Sequence, residues 1–389
     1  MTGAAAGTQP PPPASGPVSG AERITSLDAI RGVAVLGILP MNALTFGLDR
    51  AAYFNLSADG IAGPLDWIVG VLTMVFIDQK MMALFSLLFG VGVVIFAQRA
   101  EAKGRRVAGL SLWRFALLFA VGLAHSALWF GDVLTLYALC APLVLLVRRL
   151  PVPLLGAVGV GLALAGTVSA PFFQSAVEGS PDELGYFWFA DADTMPPTVE
   201  GWFILNAAGR ALGLMLIGVA LLRLGIVQGM RDEGYYRRLA IWGLGVGTVI
   251  TAAGSAWHIA TGWSPDHAIT GTIPTGLGTI PMALGYMALI ILWNRRSSGP
   301  VERLRNAGRM ALSNYLAQTI LGLTTLGWLL QHVDLSRTLI AVWILGVWAL
   351  QLWWSTWWLQ RFRYGPFEWV WRCSTYRSWQ PLRRSGATG

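Results

Sequence analysis

Ten long apolar segments dominate this chain, at 27–47, 64–98, 110–130, 133–147, 153–173, 201–224, 239–260, 272–293, 309–330 and 336–358. About 20 apolar residues let a helix cross a bilayer. In hydrocarbon only a helix or a closed barrel satisfies its own backbone. The chain therefore reads as all-α, a polytopic integral membrane helical bundle of about ten transmembrane helices. Its composition agrees: 54% of the 389 residues are hydrophobic and 12% are charged. That excludes a soluble enzyme, a disordered chain or a fibrous repeat. The second segment is too long for one simple span. An interfacial or re-entrant piece is expected near 64–77, then a span from about 79, with Asp78, Gln79 and Lys80 at the junction. The fourth segment is short and holds Pro142, which neighbouring helices can accommodate.

Charge orients the bundle. The segments 99–106, 148–149, 223–238, 295–309 and 361–384 carry 21 basic and 5 acidic residues. The alternate connections, 49–66, 132, 174–200, 266 and 334–337, carry 2 basic and 12 acidic. Excess Lys and Arg mark the cytoplasmic side, so both termini are expected there in a multi-pass cell (cytoplasmic) membrane protein. The formal charge of +8 then belongs to loops facing anionic headgroups. The expected partner is the lipid bilayer, not nucleic acid. Residues 1–22 lack a basic start ahead of a short apolar core and read as a disordered arm rather than a signal peptide. Residues 23–225 and 226–389 are expected to be two transmembrane halves. The acidic, aromatic connection at 174–200, with Tyr186, Phe187 and Trp188, is expected outside. Cys140 and Cys373 fit no disulfide framework, redox pair or zinc spacing.

Ionisable and amide groups inside spans are costly and point to function. In the run from Thr25 to Gly32, Thr25 or Ser26 can cap the first helix, and Asp28 and Arg31 can pair across one turn. The plain reading is a cap plus an ion pair. The sharper one is an arginine at the cytoplasmic mouth of a cavity, ready for phosphate or carboxylate. Asn42 lies eleven residues on, about 16 Å deeper on nearly the same face. His125 ends the third segment, followed by Asp132 in a tight turn through Gly131, and by Tyr137. A neutral imidazole can act as a general base with a carboxylate to orient it, or can simply hydrogen-bond the turn. Gly131 is expected to supply a positive φ there. Arg210, with Asn206 one turn earlier, can contact an anion in a cavity or snorkel. Arg114 is close enough to the cytoplasmic end to snorkel. Asn314 and Gln318 share a face and can either join helices or line a path. His258, His267 and His332 match no zinc pattern, so no metal site is expected. No phosphate-binding or hydrolase motif occurs.

The stretches Leu27–Asn42, Leu84–Gly90, His125–Asp132, Gly308–Thr319 and Phe362–Arg372 resemble signatures of the YeiB family, whose C-terminal domain has unknown function. The resemblance runs from residue 27 to about 376. The N-terminal half is distantly similar to the transmembrane acyltransferases that include heparan-glucosaminide N-acetyltransferase. These are thought to move an acyl group from cytosolic acyl-CoA to an acceptor across the membrane. An Arg-Gly helix start and a later Asn or His line their acyl channel, a correspondence that falls on Arg31 and Asn42. Related surface-polysaccharide acyltransferases carry His where Asn42 stands. The lysosomal enzyme has Asn there and a catalytic His eleven residues later, where this chain has Tyr53. Any base must therefore come from elsewhere, and His125 is the candidate.

The resemblance implies a transmembrane acyltransferase-like enzyme passing an acyl group to a hydroxyl or amine acceptor, which is a small molecule or a lipid-linked substrate. Acyl-CoA would be the cosubstrate, with no tightly bound cofactor. Arg31 with Asp28 would meet the CoA end, Asn42 the thioester carbonyl, and His125 with Asp132 the acceptor. One alternative is a transporter or exporter of a small amphipathic molecule, with Arg210, Asn314, Gln318 and Tyr137 along the path. Another is an isoprenoid-processing enzyme walled by some of the 19 tryptophans. A homodimer is compatible with any of them. The topology makes a direct prediction. Cys373 should react only with reagents that reach the cytoplasm, and a cysteine replacing Ser180 should react from outside. Labelling of both from one side would overturn the orientation.

Overall fold

A computed structural model describes residues 24–177, 181–189, 195–296 and 298–384. The expected N-terminal arm lies outside them. The helices are α1 (Thr25–Gly47), α2 (Ala51–Phe54), α3 (Pro64–Phe76), α4 (Lys80–Ala102), α5 (Val107–Ser126), α6 (Leu134–Val147), α7 (Val152–Val177) and α8 (Pro181–Phe189). They continue with α9 (Pro197–Arg223), α10 (Glu233–Ala260), α11 (Ile273–Asn294), α12 (Gly299–Arg309), α13 (Ala311–Gly322), α14 (Arg337–Arg361) and α15 (Pro366–Tyr376). Among the described residues there is no sheet, only one antiparallel bridge between Phe362 and Arg383. Eight helical stretches are long and apolar enough to cross a membrane, α3 and α4 counting as one, while α6 is apolar but shorter. The protein is an all-α polytopic helical bundle.

The ninth expected span is α13 plus a π-helical continuation, Leu323–Leu329. Its irregularity has a local cause. The Thr324 and Thr325 hydroxyls donate back to the carbonyls of Ile320 and Leu321, at 2.7 and 2.6 Å, a habit that bends helices.

Helix α1 is the hub, packed against α4, α11, α12, α13 and α14. Lipid tails are as apolar as leucine, so close backbone approach and interhelical hydrogen bonds hold such bundles together. At the α1–α12 crossing a Cβ on Gly32 would lie 2.1 Å from the Leu304 carbonyl oxygen, and one on Gly308 would lie 1.9 Å from that of Asp28. Helices α4 and α9 cross as tightly, with Gly90 on the Met215 backbone and Gly218 on that of Leu87.

Several local expectations are corrected. Neither Thr25 nor Ser26 caps α1. The Ser26 hydroxyl instead donates to the Val227 carbonyl at 3.0 Å, tying α1 to the turn after α9. The long second segment breaks as expected, and the break is sharp: Gln79 is left-handed at φ 61° between α3 and α4. The connection at 174–200 is not merely a loop. It contains α8, and Phe187 and Trp188 are buried. They join Trp202, Trp263 and Ile269 in a second apolar cluster on the acidic side.

The α1–α12 crossing is testable. Gly308→Ala places a methyl against fixed backbone and should cost about 1–3 kcal/mol, as overpacking does. Gly156→Ala, where a Cβ meets nothing within 4 Å, should leave the melting temperature in detergent unchanged or slightly raised. Equal melting temperatures for both variants would refute the account of the crossing.

Candidate functional site

A cavity of about 1040 Å³ opens on the basic side, between α1, α4, α5, α12, α13 and α15. Both ends of the described chain reach it, through Ile24 and Arg384. Nine cationic side chains line it: Arg31 on α1, Arg99 on α4, Lys103 and Arg105 in the turn after α4, Arg114 on α5, Arg309 on α12, and Arg363, Arg372 and Arg384 near the C-terminus. Only two carboxylates, Asp28 and Glu368, share the wall. Farther in, the lining becomes Phe85, Leu88, Phe89, Phe115, Leu118, Leu134 and Tyr315. Lys103 and Phe85 are eighteen residues apart, about 27 Å along the helix. That is close to the roughly 30 Å of a hydrocarbon core. The site is thus cationic at its mouth and aromatic at depth.

Elements at the basic end build the mouth. The Arg114 guanidinium lies 4.4 Å from the Phe96 ring centre and 5.4 Å from that of Trp371. It turns into the cavity, where the sequence suggested snorkelling outward. The cavity offers aromatic faces, which hold a guanidinium well. Arg31 bonds Asp28 at 3.4 Å, as the spacing suggested. Helix α15 closes one wall. Its Glu368 accepts from the Leu312 and Ser313 amides at 2.7 and 3.1 Å and from the Ser313 hydroxyl at 2.5 Å, capping α13. Arg377 lies 4.7 Å over Trp113, and the Trp113 indole donates to the Ser374 carbonyl at 3.0 Å.

At the other end of α5, His125 is buried. Its Nδ1 is 2.9 Å from Asp132 Oδ1, and its Nε2 is 2.9 Å from Thr319 Oγ1. The ionised carboxylate can only accept, so Nδ1 carries a proton, and in the neutral imidazole Nε2 then accepts from the Thr319 hydroxyl. Burial raises the Asp132 carboxyl, but His125 and the Thr135 amide, 2.8 Å away, outweigh it and hold the group below its usual range. Gly131 does not use the positive φ expected of it, since it is absent from the left-handed residues. Its need is space: a Cβ there would lie 2.2 Å from the Trp129 ring. The Tyr315 ring packs 5.1 Å from the His125 ring and also lines the cavity. Its hydroxyl is buried beside the Val133 amide and donates to no acceptor among the described residues. One aromatic ring therefore separates the deep end of the cavity from the His125–Asp132–Thr319 chain.

The other sequence candidates lie elsewhere. Asn42 is buried in α1 and does not line this cavity. Tyr137 is fully buried. It shares a 2.6 Å hydrogen bond with Ser86 and packs behind the lining residues Phe85 and Phe89. Asn314 bonds the Ala307 carbonyl, Ser355 and Trp354, and Gln318 bonds the Val35 carbonyl and Gln351. Both join helices and neither lines the cavity. Arg210 binds Gln79 at 2.5 Å and Asn206 at 2.8 Å, beside the α3–α4 break. Thr319 and Tyr315 are functional candidates that the sequence did not single out. Nothing in their spacing points to His125, 194 residues away from Thr319. Arg99, Lys103, Arg105, Arg363, Arg372 and Arg384 had counted only as loop and tail charge.

A family model described as a protein of unknown function, DUF418, matches residues 221–378. The uncharacterized protein YeiB of Escherichia coli (strain K12) is 32% identical, over 92% of this chain and 98% of its own length. The uncharacterized protein YxaH of Bacillus subtilis (strain 168) is 26% identical, over 93% and 96%. An uncharacterized 39.9 kDa protein in the amylase 3' region of Bacillus acidopullulyticus is also 26% identical, over 94% and 97%. No solved structure matches.

Glu368 gives this region a pH signature. Burial, opposed by its hydrogen bonds, raises its carboxyl above the ordinary value. The folded state then binds more protons than the unfolded one between the two values, so stability declines as pH rises through that window. Glu368→Gln should flatten this part of the melting-temperature profile. Identical slopes in the variant and the native protein would contradict the assignment.

Proposed function

The chain belongs to the YeiB-like DUF418 family of membrane proteins, and from that premise we propose that it is a membrane acyltransferase that draws on acyl-CoA. The observation that carries the reading is the gradient along one cavity. Nine cations stand at its mouth, aromatic and aliphatic side chains line its depth, and a ring-to-ring contact joins it to His125. An acyl-CoA has the matching polarity, with phosphates at one end and a thioester at the end of a long arm. Arg side chains bind phosphate in forked geometry and stack on aromatic faces. On this reading the mouth is cytosolic. Arg31, Arg114 and Arg372 hold the nucleotide end, and the arm runs inward along Phe89 and Phe115. The thioester stops near Tyr315. His125, fixed in one tautomer by Asp132, supplies the base. The thioester C–S bond breaks, the acyl carbon bonds to an acceptor oxygen or nitrogen, and the acceptor proton ends on the thiol. The apolar deep wall suits an acyl chain, and the acceptor is a small-molecule or lipid-linked alcohol or amine.

A second reading, transport of an amphipathic anion, is favoured by one feature. Transporters place binding sites at interrupted helices, and the α3–α4 break at Gln79 holds Lys80 and Arg210 nearby. Two measurements separate the readings. Purified protein should bind free CoA, and Arg114→Ala or Arg372→Ala should each weaken binding about tenfold, as losing roughly 1.4 kcal/mol of phosphate contact does. Added salt should weaken it further. Thiol release from acyl-CoA in the presence of hydroxyl acceptors should fall about 10²–10⁴-fold in His125→Ala. His125→Gln should be inactive with normal detergent stability. Absence of CoA binding, together with solute counterflow in liposomes, would establish the transporter instead.

A further inference from the structure

Both nitrogens of His125 are already engaged. Nδ1 faces Asp132 Oδ1 and Nε2 faces Thr319 Oγ1, each at 2.9 Å. While the Thr319 hydroxyl donates to Nε2, that nitrogen has no lone pair free for an acceptor's proton. The hydroxyl positioned to be deprotonated is the protein's own. A hydroxyl on a base, with a carboxylate orienting the base, is the arrangement that activates a nucleophile.

We propose that Thr319 is the nucleophile of the acyl transfer, so that the reaction passes through an acyl-threonine on α13. This rests on the acyltransferase reading above and specifies its course. In the first step Thr319 Oγ1 attacks the thioester carbonyl carbon while His125 Nε2 takes its proton. The Oγ1–C bond forms and the C–S bond breaks. The sulfur leaves with the bonding pair, and the imidazolium protonates it to the free thiol. In the second step the acceptor hydroxyl or amine gives its proton to the same nitrogen and attacks the threonyl ester. Oγ1 leaves and recovers the proton. Atoms and electrons balance with acyl-CoA and the acceptor alone.

Two further observations fit. Tyr315 stands one turn before Thr319 on α13, so the two share a helix face. Its ring lines the cavity, and its buried hydroxyl, approached by the Val133 amide, donates to no acceptor among the described residues. A buried unpaired donor is costly. A carbonyl oxygen becoming an oxyanion beside Thr319 would give it a partner. The direction of approach also agrees. The cavity reaches Tyr315 from the basic side, so an acyl group arriving there has one helical turn left to Thr319. Transfer through the protein then needs no moment at which donor and acceptor occupy the cavity together.

The test uses the full-length protein in detergent with acetyl-CoA, hexanoyl-CoA or palmitoyl-CoA and no acceptor. At least one donor should give a burst of free thiol, about one equivalent per protein, and an acyl group that mass spectrometry maps to Thr319. Thr319→Ser should keep both. Thr319→Val should lose both, and lose turnover with acceptor by at least about 10²-fold, while still binding free CoA as the native protein does. The proposal is overturned if native protein binds CoA and turns over without burst or adduct. It is also overturned if the adduct maps to another residue, or if Thr319→Val keeps turnover and shows only a lower melting temperature. Failure of native protein to bind CoA at all would take down the acyltransferase reading, and this proposal with it.

Discussion

Hydrocarbon offers no partner to a polar group, and that constraint shapes nearly every contact in this protein. An amide or hydroxyl inside the bundle bonds either its own helix, as Thr324 and Thr325 do, or another segment, and in the second case it fixes a helix position. The α1–α13–α14 contact illustrates this. Gln318 donates to the Val35 carbonyl and to Gln351, Gln351 donates to the Asn314 carbonyl, and Asn314 donates to Ser355. The indoles of Trp348 and Trp354 add bonds to the Leu36 carbonyl and to Asn314. Three helices are locked in register by groups that would each be costly alone. The glycine crossings do the complementary work, letting backbones approach wherever no polar bond is made.

The same constraint explains why the large cavity is informative. Like charges gathered around one opening repel one another, and Asp28 and Glu368 are the carboxylates in its described lining. Glu368 is already committed to capping α13 through the Leu312 and Ser313 amides. Aromatic rings carry part of the load, as with Arg114 on Phe96 and Arg372 over Tyr364 at 4.6 Å. A polyanionic ligand would lower that repulsion, and the site's affinity for one should rest mainly on charge.

Much of the architecture was legible because membrane spans are the strongest pattern a sequence can carry. The break near Gln79, the short fourth segment and the placement of both described ends on the basic side all followed from hydropathy and charge. The His125–Asp132 bond also followed, since seven residues and a tight turn bring the two together. What was not legible is what only the fold decides. Positive-inside counting treats a basic residue as a sign on a loop. It does not tell Arg363, which lines the cavity, from a residue that faces headgroups. Likewise Thr319 and Tyr315 sat within a quoted motif, yet a hydroxyl in an apolar helix has no visible partner until the helix is packed. Phe187 and Trp188 were read only as part of an acidic, aromatic connection on the outer side. Their burial depends on Trp263, whose carbonyl accepts from the Trp188 indole at 2.7 Å across 75 residues.

The two faces of the bundle differ in a way that gives any chemistry at His125 a direction. The basic face is open through the cavity. On the acidic face, α8 and the loops near it are tied together, with Asn55 donating to the Trp188 carbonyl at 3.1 Å and Arg337 donating to the carbonyls of Ala52 and Leu56 at 2.9 and 3.2 Å. His125 lies at the end of α5 farther from the cationic mouth, eleven residues from Arg114 and so about 16 Å along the helix. Its neighbours there are Trp129, bonded through its indole to the Thr45 hydroxyl at 2.9 Å, and Phe130 under Arg50 at 4.0 Å. The cavity reaches toward that depth from the basic side, through Tyr315. An acceptor arriving from the acidic side would have to pass the Trp129–Phe46 contact, whose ring centres are 5.1 Å apart.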